Sequence, residues 1–165
     1  MNDSIKITGR VTLKVTSEGK VRRLRTYKNV ITTDLLENIV RTFNMQSNAI
    51  SAYDYIALGS GDTEASASDV GLDNEFSASS WGATGAYGDS GRINGTTGID
   101  LTSLTYTVSG NITNNSGSTI TVKEAGLFST DTIGSTGDMG SRRVTSPTPV
   151  EDGEKLYCIW TYTIS

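Results

Sequence analysis

Histidine is absent from the 165-residue chain, and cysteine occurs once, at Cys158. The commonest general base at neutral pH and the commonest metal ligand are therefore both missing. Catalytic triads of the Ser-His-Asp or Cys-His type, and most zinc sites, are excluded. A lone cysteine cannot form an internal disulfide. Because Cys158 lies in an alternating apolar run, it reads as a buried inert thiol rather than a nucleophile. No run of 18 or more apolar residues exists, and Met1-Asn2-Asp3-Ser4 lacks the basic-then-apolar order of a secretory leader. Neither a membrane-spanning helix nor a secretory signal is expected, so the Asn-X-Ser/Thr sequons at Asn2, Asn94, Asn111 and Asn114 read as chance matches.

Apolar residues make up 35% of the chain, and the 18 glycines bring the total close to that of an ordinary globular domain. The length suits one domain over 1–165. Charge is unevenly placed: Met1 to Phe43 carries nine Lys or Arg against four Asp or Glu, whereas the remainder carries five against fourteen. A positive front on an acidic chain suits docking to an acidic neighbour better than contact with nucleic acid.

Odd positions from Ile5 through Ile7, Gly9, Val11, Leu13 and Val15 are apolar or glycine, with Lys6, Thr8, Arg10, Thr12 and Lys14 between them. A period of two predicts a strand with one buried face, and Ser17-Glu18-Gly19-Lys20 predicts a turn into a returning strand, Val21 to Tyr27. Residues 1–31 thus form an N-terminal hairpin or arm. The period then changes, and Leu35, Leu36, Ile39, Val40 and Phe43 are spaced for one face of a helix over 33–43, capped by Asp34 with Glu37 or by Thr32 or Thr33.

The remaining strands fall within 53–165. Tyr53 to Leu58 is one; Leu104, Tyr106, Val108, Gly110 and Ile112 alternate in another, which Asn114-Asn115-Ser116-Gly117-Ser118 turns into Thr119 to Val122 as a second hairpin. Leu156, Cys158, Trp160, Tyr162 and Ile164 share a face of the last strand. Between these lie two Gly-, Ser- and Thr-rich stretches, Ser77 to Ser103 and Ser129 to Ser146, which read as long surface loops that become ordered against other subunits. Short strands, one helix and no βαβ alternation predict a mainly β fold, an antiparallel β-sandwich of jelly-roll-like form.

Chemistry-bearing patterns are sparse. Gly59-Ser60-Gly61 follows a strand but has Glu64 where a dinucleotide loop needs a small residue, and no helix follows. Asp62, Glu64, Asp69, Asp73 and Glu75 lie close together without calcium-loop spacing, so solvated loop charge is the default over a metal site. No catalytic residue, metal or cofactor is expected. Lys20, Arg22, Arg23, Arg25 and Lys28 form a basic cluster in which charge and apolar side chains share both faces of a strand, as at a sheet edge or a subunit contact. Arg22, Arg23, Arg25 and Tyr27 are candidate contact residues on this ground. Trp81 and Tyr87 are candidate loop anchors, and Arg142 and Arg143 complete the set.

Three segments, in order, resemble a family of tailed-bacteriophage virion proteins described as tail-fibre-like or structural. They are Lys28-Asn29-Val30-Ile31-Thr32-Thr33 leading into a helix; the stretch from Tyr55 to Phe76, with its Ala-Leu-Gly and Leu-Asp-Asn-Glu passages; and Val122 to Phe128 followed by Arg142, Arg143 and the closing strand. The resemblance covers roughly residues 28–165 apart from the glycine-rich stretch, and it lacks the proline usual after the glycine pair and the aromatic residue usual after the late arginine. It implies a non-enzymatic virion structural protein in the viral particle, with other virion proteins (major capsid or tail proteins) as partners and a homo-oligomeric state. A shaft needs repeats that this chain lacks, so capsid decoration or a small tail or collar adaptor fits better than a long fibre. The alternative is a tail-fibre or tail-tip protein reading host cell-surface glycan through Trp81 and Tyr87.

Overall fold

Strand β1 (Ile7–Ser17) buries Val11, Leu13 and Val15 while Arg10 stays in solvent, as its period of two requires. The computed structural model describes residues 5–43, 52–82, 91–133 and 139–165. Glu18 and Gly19 both take positive φ, 50° and 76°, which gives the hairpin turn whose twist matches the flanking strands. The chain then returns as β2 (Lys20–Lys28), and a bulge at Val15/Thr16 leaves Arg22 without a cross-strand partner. After β3 (Val30–Ile31), helix α1 (Thr33–Phe43) begins at the predicted place. The Thr32 carbonyl accepts the Leu36 amide, and the Thr32 hydroxyl donates to the Met139 carbonyl.

The remaining strands are β4 (Tyr55–Gly59), β5 (Ile93–Asn94), β6 (Thr96–Asp100), β7 (Thr105–Thr113), β8 (Ile120–Phe128), β9 (Met139–Val150) and β10 (Lys155–Ile164). They form two five-stranded antiparallel sheets, ordered β2-β1-β10-β7-β6 and β3-β9-β8-β4-β5. Inward side chains of both sheets meet in one core: Leu13, Val108 and Trp160 from the first, Ile56, Val122 and Leu127 from the second. Fully burying an aliphatic side chain of this size contributes about 1.5–3 kcal/mol. The expected antiparallel sandwich with one helix is therefore the fold. Cys158 sits within it, fully buried opposite Leu13, and desolvation pushes its thiol pKa well up.

Three local expectations are corrected. β7 and β8 do not form a hairpin, because they belong to different sheets. Asn114 makes the connection an arch: its buried side chain donates to the Ser118 and Val150 carbonyls at 2.7 and 2.8 Å, and its Oδ1 accepts the Ser116 amide. The stretch 77–103 is not one loop, for it contains a short 3₁₀ helix (Ala78–Trp81), β5 and β6. Likewise β9 starts inside the second expected loop, at Met139. β5 pairs with the distant β4, whereas β6 and β9 pair with the adjacent β7 and β8; all three are rich in Gly, Ser, Thr or Asn and short of apolar alternation, so a local hydrophobic pattern does not register them.

Candidate interaction surface

Two of the segments carrying the resemblance, Tyr55 to Phe76 and Val122 to Phe128 with Arg142, meet on the outer face of the second sheet. Glu124 of β8 is fully buried there. Its Oε1 accepts the amides of Gly61 and Asn74 at 2.9 and 2.8 Å, and its Oε2 accepts the Asp73 amide and two donors of Arg142. A Cβ on Gly61 would stand 2.5 Å from Glu124 Oε1, so the second glycine of Gly59-Ser60-Gly61 is there to let the loop close on that carboxylate. Arg142 also reaches Asp69 and Asp73, each at 2.9 Å. Burial opposes its charge, but hydrogen bonds to Asp69 and Glu124 outweigh that and raise its pKa. Beside this network Arg92 grips Glu75 with two hydrogen bonds and lies 3.6 Å from the Phe128 ring centroid.

Arg142 and Trp81 are therefore corrected as contact residues. Each is only 1% exposed, Arg142 held by carboxylates and Trp81 packed edge-on against Phe76 at 5.7 Å. Trp81 is closed to a sugar ring, which removes its part in the glycan reading, while Tyr87 lies outside the described residues. Arg143 and Tyr27 come together, guanidinium over ring at 5.5 Å, and bridge β9 and β2 where the two sheets approach. Of the carboxylates that invited a metal reading, Glu75 is engaged by Arg92, Asp69 and Asp73 by Arg142, and Asp62 by Lys123, and among the described residues no metal-holding group of acidic or cysteine side chains occurs.

Among the described residues, two open surfaces bring exposed apolar side chains together with charge or around a groove. Along β2, Lys20, Arg22, Arg25 and Lys28 are exposed, together with Val21 and Leu24. Arg23 reaches Glu154 at 3.3 Å and Glu151 at 3.7 Å, and Arg22 lies 4.0 Å from Glu154. These place the expected basic cluster at the edge of the first sheet.

The chain matches no family model, no curated protein and no solved structure.

The other open surface was not legible from composition. At one end of the sandwich, Leu35 and Ile39 of α1 face Ile99, Leu101, Leu104 and Ile164 across an apolar groove of about 310 Å³. Its inner wall is aromatic: Tyr106 and Tyr162 stack with centroids 6.3 Å apart, and the Tyr162 hydroxyl donates to Ser141 Oγ at 2.7 Å. Ile99 is 73% exposed and Leu101 79%, beside Leu104, which holds a positive φ of 48°. The signal was the alternation Gly98-Ile99-Asp100-Leu101, hidden within a stretch of Gly and Thr.

Proposed function

We propose that this chain is a non-enzymatic structural protein of a tailed-bacteriophage particle, a capsid decoration protein or a small tail or collar adaptor that works by docking onto neighbouring subunits. The observation that carries the reading is the apolar end of the sandwich. Large aliphatic side chains exposed together around a groove mark an interaction surface, whereas scattered ones need no explanation. Burying Ile99, Leu101, Leu104 and Ile164 on a neighbour would supply about 1 to 3 kcal/mol each, before the cost of association. Many copies on a symmetric particle multiply such a contact through avidity. The resemblance to virion proteins points the same way, and its segments serve to pin a loop to a sheet, work suited to a scaffold.

The test is the composition of purified particles of the phage that encodes the chain. Gold-labelled antibody is expected to decorate intact particles at regular positions, and the double variant Ile99→Lys/Leu101→Glu is expected to fold but fail to incorporate. Particles that lack the chain altogether would refute the reading.

A further inference from the structure

We infer that the outer edge of β2 is an acceptor for an extended acidic segment of another protein, which adds to the first sheet as a sixth strand. Among the described strands the edges are unequal. β3 and β5 have two residues each and β6 has five. β9 runs on past β3, but with Pro147 and Pro149, which cannot donate to a ladder. β2 has nine residues, pairs with β1 on one side, and has no strand on the other. Beyond the bulge, Arg23 to Lys28 keep a regular register with β1, so the backbone there is an uninterrupted template.

Charge decides what that template accepts. β2 contains Lys20, Arg22, Arg23, Arg25 and Lys28 and no acidic residue. Glu151 and Glu154 serve Arg22 and Arg23, while Arg25 and Lys28 have no carboxylate within ion-pairing distance among the described residues. Two copies meeting edge to edge would set these cations against each other, so self-pairing is disfavoured. An acidic strand meets the opposite situation, since cross-strand pairs of opposite charge are favourable. Side chains alternate in direction along β2, which puts Leu24 and Lys28 on one face and Arg25 on the other. The complementary segment carries acidic residues opposite Arg25 and Lys28, three apart, and an apolar residue opposite Leu24.

The inference concerns a different surface from the apolar end and does not rest on the virion reading, which the particle assay tests separately. The probe is a nine-residue peptide repeating Glu-Val-Thr, titrated into the full chain and followed by calorimetry and amide hydrogen exchange. Saturable binding is expected, with slowed exchange in β2 and affinity falling as salt rises. Arg25→Glu/Lys28→Glu, both exposed and so compatible with the fold, is expected to weaken binding by more than about tenfold. Two further peptides, methylated on alternate backbone nitrogens in the two phases, separate strand addition from loose charge attraction: one phase is expected to lose binding and the other to keep it. The idea is sunk by an absence of saturable binding, by equal binding of both methylated peptides, or by protection that appears away from β2.

Discussion

A carboxylate with no exposed surface is tolerable only when its lone pairs are engaged, and at Glu124 the amides of Gly61, Asp73 and Asn74 and the guanidinium of Arg142 engage them. Glu124→Ala would leave Arg142 buried with less compensation and three amides unpaired. Removing one partner of a buried ion pair costs about 3–5 kcal/mol, and a loss of that size is expected in urea unfolding. Cys158 makes a prediction of the opposite kind. Burial holds its thiol protonated, so a thiol reagent at pH 8 is expected to leave the native protein unlabelled and to react fully in denaturant. At this scale the sequence carried the inert cysteine but not the role of Arg142. Nothing local says that an arginine in a polar stretch will meet Asp69, 73 residues earlier.

Elements were legible where their period is strict and their turns carry the right residues. The β1–β2 hairpin is such a case, though its first turn residue is not optimal: Glu18 holds a φ of 50° that Asn adopts more readily. Glu18→Asn is expected to stabilise the protein by about 0.5–1 kcal/mol, seen as a higher melting temperature. The loop over the second sheet was legible only as acidic. Asp73 has its pKa lowered by its hydrogen bond with Thr63 and also by the charge of Arg142. Its folded pKa thus lies below the ordinary 3.8, so its stabilising contribution is complete above that value and disappears as pH falls through the depressed folded pKa. Asp73→Asn is expected to flatten this part of the acid limb in a plot of melting temperature against pH. Asn114 shows where element reading failed: its turn chemistry is real, but the turn crosses between sheets.

At the scale of the whole molecule, β1 from the front of the chain pairs along ten positions with β10 from its end, Ile7 opposite Ile164 through Thr16 opposite Lys155. β10 is the central strand of the first sheet, between β1 and β7. A chain truncated after Gly153 is therefore expected to lose the entire fold rather than one strand, with no cooperative melting by circular dichroism. Pairing the two ends also makes native contacts non-local, so refolding followed by stopped-flow fluorescence of Trp160 is expected in roughly the millisecond-to-second range of β-sandwiches.

The sequence by itself determined the mainly β character, the alternation of β1 and β10, the helix at Thr33 and the inert cysteine, because side-chain period and local capping are properties of neighbouring residues. Only the tertiary structure decided that β7 and β8 belong to different sheets, that Trp81 and Arg142 are buried, and that Ile99 and Leu101 crown an exposed groove. Those outcomes depend on which distant groups arrive to cover a side chain or satisfy a charge, and burial is a property of that company rather than of the residue.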